Sequence, residues 1–503
     1  MVKRIGIVDL GSNTMRLVVY ECEPGAWYRL ADQVREPVRL AEGAAKAGAL
    51  TDAAMQRALN ALRLYGDYAR DSHLSDLAVV ATSAARDAAN GEVFLDRVRR
   101  LDLDVTVLDG EEEAAYGVLA VANSFDVSDA WVMDLGGGSA QVSRMRRREF
   151  ESGAAYPLGA VRVTELFLDS DPPSEREIEA LREGVRRQLA EVVARIADQP
   201  DPLIAMGGTV RNLARAVQKA NNYPLSQVHG FFLSRADLDQ LVKSLCSKRV
   251  GRRARMAGIQ PDRADVIVGG ALVYQTLLWE ADLPGILVSG QGLREGVFFS
   301  RFLDEPHLVP VVRDFGIRNL FAHYPQPIEH TEHVRFLCRR LFDELKPLHG
   351  YGWEEARLLD EAAQLHDIGM AVGYHGHDRH GAFLIDNGQV PGIPHRDLAL
   401  LALLVRYHRK GIPTAGPFRR LMAAGDEKLL LRLSACLRLA EYLERARADR
   451  VKDLDVEIGK KKVTITLIAE QDPAVEVYEA LKQAPLFERA FGKRLVVASA
   501  GAV

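Results

Sequence analysis

One arrangement of residues occurs twice in the first third of the chain, and it limits the possible folds more than any other feature. An apolar stretch typical of a buried strand, residues 4–10, runs from Asp-Leu into the turn Gly-Ser-Asn-Thr at 11–14. A second apolar stretch, residues 131–135, runs from Asp-Leu into the turn Gly-Gly-Gly-Ser at 136–139. Strand-like residues follow both turns, so each turn joins two strands. The repetition predicts an internal duplication of one α/β unit.

Both turns carry residue types that bind phosphate. Glycine lets backbone N–H groups approach phosphate oxygens closely, and hydroxyl side chains add donors. Each turn leads into a strand, which separates it from the P-loop and dinucleotide folds, where a helix follows. The carboxylate before each turn, Asp9 or Asp134, could hold Mg²⁺ directly or through water. Two facing turns could clamp a phosphate chain, although two ordinary hairpin turns would give the same pattern. The phosphate-binding candidates are Gly11, Ser12, Asn13, Thr14, Gly136, Gly137, Gly138 and Ser139.

The length of 503 residues predicts several domains. Residues 1–125 and 126–303 contain the two α/β units, and a proline-rich stretch at 304–328 indicates a linker. Helical spacing continues from 329 to about 448, and an alternating strand at 462–467 indicates mixed structure at the end. We expect domains at 1–125, 126–303, 304–450 and 451–503, the last two being an all-α domain and a small α/β tail.

Composition excludes several classes of protein. The net charge of −4 argues against a protein that coats nucleic acid, and no apolar run approaches the length of a membrane span. The four cysteines are far apart and have neither metal-ligand spacing nor a disulfide pattern. The first residues do not have the pattern of a secretion signal. We therefore expect a cytoplasmic protein with no membrane or nucleic-acid partner.

Several motifs along residues 8–296 resemble the exopolyphosphatase / guanosine pentaphosphate phosphohydrolase family of the actin-like ATPase superfamily. They occur in the order found in the family, and the segment at 486–495 is also similar. The motifs are Val8-Asp-Leu-Gly-Ser-Asn-Thr14, Ala81-Thr-Ser-Ala-Ala-Arg-Asp-Ala-Ala-Asn90, Leu108-Asp-Gly-Glu-Glu-Glu-Ala-Ala-Tyr116, Asp134-Leu-Gly-Gly-Gly-Ser139, Pro157-Leu-Gly-Ala-Val-Arg162, Met206-Gly-Gly-Thr209, Arg263-Ala-Asp-Val-Ile267 and the segment from Ser289 to Gly296. The resemblance implies duplicated actin-like (ribonuclease H-like) halves.

The resemblance also implies roles for single residues. Glu113 would act as general base on the attacking water, and Asp134 would organise Mg²⁺ (or Mn²⁺) or the water, with Asp9 as a second metal ligand. Arg86, Gly208 and Thr209 would bind phosphate. Two other interpretations stay open: Glu113 could cap a helix together with its acidic neighbours, and Arg86 could be a surface arginine.

One position departs from the family's pattern. The family continues its second glycine turn with Ser-x-Glu, whereas this chain has Gln141 in place of the glutamate. A neutral amide cannot supply a metal-binding negative charge. This difference puts metal affinity and turnover in doubt and leaves a sensing role open.

Residues 329–450 resemble an HD-type domain. The metal ligands that this resemblance implies are His330, His366, Asp367, His380 and His408. Imidazoles and a carboxylate from several helices suit a second divalent metal. The last ligand of the pattern should be Asp, but the position is Glu441, so we expect a structural or metal-stabilised domain more than a second active site. We interpret His375 and His377 as surface loop residues.

The leading functional hypothesis is hydrolysis of the terminal phosphate of inorganic polyphosphate with Mg²⁺. The alternatives are removal of the 5′ terminal phosphate of pppGpp and non-catalytic sensing of either ligand. An ATP-dependent kinase would need an acceptor-site signature, which we do not find in the sequence. The resemblance alone implies a homodimer.

Overall fold

The computed structural model describes residues 1–324 and 326–499. The chain forms two compact units, Met1–Phe315 and Gly316–Val503. We call them unit 1 and unit 2 and describe each by itself.

Unit 1 begins with a five-stranded sheet in the order β3-β2-β1-β4-β5. Strands β1 to β3 are antiparallel neighbours, whereas β4 and β5 run parallel to β1. The elements are β1 (Lys3–Leu10), β2 (Met15–Glu23), β3 (Trp27–Glu36), α1 (Ala44–Ala47), α2 (Asp52–Asp71), β4 (Asp76–Ala81), α3 (Ser83–Arg86), α4 (Gly91–Arg99), β5 (Val105–Val107) and α5 (Gly110–Ala122).

The second sheet of unit 1 repeats this topology. The elements are β6 (Ala130–Leu135), β7 (Ala140–Arg146), β8 (Glu149–Tyr156), α6 (Ala160–Phe167), α7 (Glu175–Asp198), β9 (Leu203–Met206), α8 (Gly208–Ala220), β10 (Phe231–Ser234), α9 (Arg235–Cys246), α10 (Val250–Arg253), α11 (Ile267–Glu280), β11 (Gly285–Val288) and α12 (Leu293–Phe302). The strand order is β10-β11-β9-β6-β7-β8. An antiparallel trio, β6 to β8, is again extended by parallel strands, β9 and β11. The matching orders confirm the predicted duplication.

Helices pack their apolar faces against each sheet. Helix α2 places Met55, Leu59 and Leu62 against the first sheet, and α11 is buried along most of its length between other helices and the second sheet. Burial of this extent is the main favourable term in folding, at roughly 25 cal/mol per Å² of apolar surface. The two sheets are therefore rigid supports for the turns at their strand ends.

The expected linker at 304–328 contains a helix, α13 (Val312–Ala322). The prolines that suggested a linker flank this helix, and none lies inside it. Val312 and Phe315 are buried among aromatic side chains of unit 1. Proline content was misleading here because proline is excluded from helix interiors but not from their flanks.

Unit 2 is mostly helical and ends in a small sheet of order β12-β13-β14. Its further elements are α14 (Ile328–Glu344), α15 (Lys346–His349), α16 (Trp353–Leu365), α17 (His377–Asn387), α18 (His395–Tyr407), α19 (Asp426–Leu443), β12 (Val451–Ile458), β13 (Lys462–Ala469), α20 (Ala474–Leu481), α21 (Ala484–Phe491) and β14 (Arg494–Ser499). Helix followed by a mixed end agrees with the predicted order. The four domain boundaries that we expected stay predictions. Across the described residues, no helix is long and apolar enough to cross a membrane.

Candidate active site

The two repeated turns of unit 1 lie directly against each other. The turn between β1 and β2 packs on the turn between β6 and β7 so closely that a methyl group on Gly137 would lie 2.9 Å from Cβ of Ser12. Real Cβ atoms do not approach so closely, so glycine is required at this contact. The duplication therefore brings both Asp-Leu-Gly segments to one cavity.

This cavity, of about 110 Å³, is the cleft of unit 1. Most of the predicted site residues line it, and three do not. Gly138 lines a neighbouring cavity, Arg86 contacts Glu113, and Thr209 is buried within α8. The predicted residues that line the cleft are Asp9, Gly11, Ser12, Asn13, Thr14, Glu113, Asp134, Gly136, Gly137, Ser139 and Gly208.

Glu113 reaches the cleft from the first turn of α5. Asp109 caps this helix by accepting hydrogen bonds from its N-terminal backbone, and Glu112 completes the cap by accepting from the Asp109 N–H at 2.9 Å. The capping role that the sequence left open therefore falls to Glu112. Glu113 points the other way, and its Oε2 lies 3.4 Å from Nη1 of Arg86. The phosphate contact of Arg86 stays a prediction.

The carboxyl groups of the cleft are destabilised as anions. Burial, followed by the negative charge of Asp134, raises the pKa of Glu113 to about 8, against a smaller opposing effect of Arg86. Burial also raises the pKa of Asp134 to about 6 and raises the pKa of Asp9. Mutual repulsion of buried carboxylates is relieved when a cation binds between them.

Four arginines of the cleft were missed as site residues in the sequence: Arg16, Arg211, Arg263 and Arg294. Burial, followed by the charge of neighbouring arginines, lowers the pKa of Arg16 to about 9 and that of Arg263 to about 10. Arginines that repel each other in a cavity are stabilised by an anion.

A local signal could have found three of these arginines. Arg16 follows the first turn by two residues, Arg211 lies three residues after Gly208, and Arg294 lies two residues after Gly292. A side chain that closely follows a glycine turn starts at the same strand edge as the turn, so it can reach the same ligand. Arg263 lacks this signal, and its guanidinium lies so close to Gly208 that a methyl group there would be 2.2 Å from its Cζ.

Comparison with family models decides the relationship of this chain to known proteins. Residues 18–305 match the model of the Ppx/GppA phosphatase family, and residues 312–489 match that of Ppx/GppA phosphatase domain III. The first match alone covers more than half of the chain. The chain belongs to the Ppx/GppA phosphatase family. It is therefore a phosphoanhydride hydrolase by family, as the resemblance implied.

Individual members of the Ppx/GppA family are similar to this chain over different shares of its length. Exopolyphosphatase 1 of Mycobacterium tuberculosis is 32% identical over 307 residues, which are 60% of this chain and 89% of that protein. The guanosine-5′-triphosphate,3′-diphosphate pyrophosphatase of Vibrio vulnificus is 25% identical over 471 residues, covering 92% of this chain and 91% of that protein. The match to the crystal structure of an exopolyphosphatase from Cytophaga hutchinsonii has 25% sequence identity and a TM-score of 0.56. This match covers 60% of the present chain and 98% of the Cytophaga chain.

Gln141, where the chain departs from the Ppx/GppA pattern, lies opposite Asp134 in the register of β6 and β7. Side chains directly opposite each other in an antiparallel pair point to the same face of the sheet. Gln141 is buried, and its Nε2 donates to Oγ of Ser139 at 2.8 Å, while its Oε1 has no partner. The amide is therefore next to the proposed metal ligand, behind the cleft surface.

Domain III of the family, here unit 2, contains a buried group of imidazoles and carboxylates. The predicted residues His330, His366, Asp367 and His408 come together, and so does Glu441. Two expectations about histidines are wrong. His380 lies outside the group, whereas His377, expected on the surface, is buried with its Nε2 3.1 Å from that of His408. The two histidines are three residues apart on one face of α17, so only the packing of that helix decides which one joins the group.

Proposed function

We propose that the cleft of unit 1 hydrolyses the terminal phosphoanhydride bond of inorganic polyphosphate, with pppGpp as the alternative substrate. The observation that carries this proposal is the lining of the cleft: four arginines, three carboxylates and two glycine turns around one small cavity. Cations on the protein suit a polyanion, and the carboxylates suit a divalent metal and a water molecule. A substrate of linked phosphates uses all three kinds of group.

The terminal phosphate groups would bind to the two turns and the arginines. The turns offer backbone N–H groups and the hydroxyls of Ser12, Thr14 and Ser139. Oγ1 of Thr14 and Nε of Arg263 and of Arg294 are buried without a hydrogen-bond partner. Buried polar atoms without a partner are costly, so phosphate oxygens would satisfy atoms that the protein itself leaves unsatisfied.

The residues of the cleft also fit a divalent metal. Asp9 and Asp134 would hold Mg²⁺ or Mn²⁺. Burial raises the pKa of both carboxyl groups although arginines lie nearby, so a divalent cation would stabilise their ionised forms. Mg²⁺ prefers carboxylate, phosphate and water oxygens. When bound, such a metal neutralises charge on the transferred phosphoryl group.

Glu113 would act as general base. Its carboxylate would accept a proton from the water as the water oxygen bonds to the terminal phosphorus and the bridging P–O bond breaks. The helix cap at Asp109 and Glu112 holds the first turn of α5, and Arg86 holds the carboxylate itself. A positioned base typically contributes ~10²–10⁴-fold to the rate.

Steady-state turnover of polyphosphate and of pppGpp by the purified protein, with Mg²⁺ and with Mn²⁺, tests this proposal. Turnover that disappears in Glu113→Gln supports hydrolysis in the cleft, and the ratio of the two kcat/KM values assigns the substrate. Binding of either ligand without turnover would instead support the sensing role that Gln141 leaves open. Failure to bind either ligand would reject both.

Three further expectations belong to this proposal. We propose that the protein forms a homodimer, which light scattering can test, and that it acts in the cytoplasm. We also propose that unit 2 binds a second divalent metal, as its resemblance to HD-type domains implies.

A further inference from the structure

One imidazole of unit 1 joins the end of α5 to the turn that follows β11. His229 precedes β10, and its ring contacts the backbone of Ser124 and of Gly290. Gly290 in turn accepts a hydrogen bond from Arg211 of the cleft. We infer that His229 is a positioning residue: it fixes Gly290, whose carbonyl group directs Arg211 at the substrate. This inference rests on the proposed function of the cleft and adds a residue that does not line the cavity.

The sheet register brings His229 to Gly290. Strands β10 and β11 are antiparallel, with Phe231 opposite Val288, and the N–H of Gly230 donates to the carbonyl oxygen of Val288 at 2.9 Å. If this register is continued by two residues beyond the strands, position 229 lies opposite position 290. The two residues approach so closely that a methyl group on Gly290 would be 3.0 Å from Cβ of His229. Glycine at this position therefore lets the imidazole reach the backbone of the turn.

The two ring nitrogens of His229 have backbone partners of opposite kinds. The N–H of Gly290 lies 3.2 Å from Nδ1 and can only donate, so Nδ1 is the acceptor. The carbonyl oxygen of Ser124 lies 3.0 Å from Nε2 and can only accept, so Nε2 carries the proton. The ring of Phe125, with its centroid 4.3 Å from that of the imidazole, packs against the histidine. The Ser124 carbonyl therefore selects the tautomer whose lone pair faces Gly290.

Gly290 passes this restraint on to Arg211. Arg211 lies in the first turn of α8, and its Nη1 donates to the carbonyl oxygen of Gly290 at 2.8 Å. Both polar backbone groups of Gly290 are thus occupied, the N–H by His229 and the carbonyl by Arg211. A rotation of this glycine would break at least one of the two hydrogen bonds, so the imidazole and the guanidinium are mechanically coupled.

A neutral anchor suits an arginine that binds phosphate. Among the residues that the structure describes, Arg211 forms no salt bridge. Burial, followed by the charge of Arg294, lowers its pKa. A carboxylate partner would also fix the guanidinium, but it would cancel part of the charge that attracts a phosphate group. The Gly290 carbonyl fixes the direction of Arg211 and leaves its positive charge to the substrate.

Two substitutions of similar chemistry divide the contacts of His229. His229→Asn keeps an acceptor close to the place of Nδ1, whereas His229→Gln places its amide near Nε2 and loses that acceptor. We expect His229→Asn to keep at least a third of wild-type kcat/KM. His229→Gln and His229→Leu should each lose about tenfold, because a small displacement of a binding group is costly in rate. Equal losses in the Asn and Gln variants would overturn the inference.

A double-mutant cycle tests whether His229 acts through Arg211. Arg211→Met removes the guanidinium and should lower kcat/KM by about 10–100-fold. Adding His229→Leu to Arg211→Met should then cost less than about threefold more, since no guanidinium is left to direct. A further tenfold loss would show that His229 acts independently and would reject the positioning role. Circular dichroism checks that each variant is folded, and His229→Gln replaces His229→Leu in the cycle if the apolar variant is not.

Binding of inorganic phosphate gives a measure that needs no turnover. Calorimetric titration of phosphate into Glu113→Gln protein should show a Kd that rises about threefold or more on adding His229→Gln and does not rise on adding His229→Asn. An unchanged Kd in the Gln variant would reject this inference. Absence of polyphosphate and pppGpp turnover in the wild-type protein would instead reject the cleft proposal. Wild-type turnover that persists undiminished in His229→Gln would reject the positioning role alone.

Discussion

The cleft of unit 1 and the buried group of unit 2 both collect charged side chains, but with opposite consequences. In the cleft, burial and repulsion between like charges shift the pKa values of Arg16 and Glu113 toward the neutral forms. In unit 2, two carboxylates lie among four imidazoles, and all six side chains are buried. In this second group, carboxylate and imidazole already lie side by side, as at Glu441 and His366.

Convergence of polar residues therefore does not by itself define an active site. Accessibility and unbalanced charge are what a turnover site needs, since substrate must enter and product must leave. The following predictions, in order of decreasing effect, test whether chemistry resides in the cleft alone.

The largest effect should come from Glu113→Gln, which removes the proposed base and keeps the side chain's size. We expect turnover to fall by ~10²–10⁴-fold with substrate binding largely intact, because the amide cannot accept the proton. Steady-state kinetics and equilibrium binding of the substrate measure the two effects. Glu112→Gln, in the same helical turn but in the cap, should lose less than about threefold; more than a tenth of wild-type turnover in Glu113→Gln would show that the base is a different group.

Arg263→Met should lower kcat/KM by about 10–100-fold, the cost of losing a charge-assisted hydrogen bond of about 1.5–3 kcal/mol. Met keeps an apolar stem of similar length against Gly208. The matched control is Arg255→Met, an exposed arginine of the same segment that does not line the cleft. Equal effects in both variants would mean that Arg263 contributes only to the general positive potential.

The pH dependence of kcat/KM should report the ionisation of Glu113. Its raised pKa means that the protonated, inactive form persists below about pH 8, so kcat/KM should rise about tenfold per pH unit up to that value. Arg86 opposes this shift, so Arg86→Gln should move the inflection upward by about one unit and lower the rate at pH 7 up to about tenfold. Profiles at fixed metal concentration for wild type, Arg86→Gln and the surface control Arg97→Gln measure it. An inflection that moves downward would contradict the assignment.

The smallest effect should come from Gln141→Glu. A carboxylate opposite Asp134 would share the metal, so the Mg²⁺ concentration for half-maximal rate should fall by roughly two- to fivefold. Titration of Mg²⁺ against initial rate compares the variant with wild type and with the exposed control Gln56→Glu. Identical curves would mean that Gln141 does not influence the metal, and slower turnover would mean that the site is adapted to the amide.

Local sequence was sufficient for the parts of the site that lie within one hairpin or one helix turn. The strand-turn-strand repeat predicted the two glycine turns between paired strands, and the matching sheet orders confirm the duplication. The sequence left open whether Glu113 caps α5, and the structure places Glu112 in the cap and Glu113 at the cleft, because adjacent residues of a helix point about 100° apart. The family's motifs added the expected roles.

Only the tertiary structure could decide which distant residues meet. Arg16, Arg211, Arg263 and Arg294 are far apart in sequence and reach one cavity because the two sheets bring their strand ends together. The helix at 312–322 likewise forms between prolines, because burial of its apolar residues determines its structure. The choice of His377 over His380 depends on the packing of α17, which buries His377 next to His408 and leaves His380 outside the group.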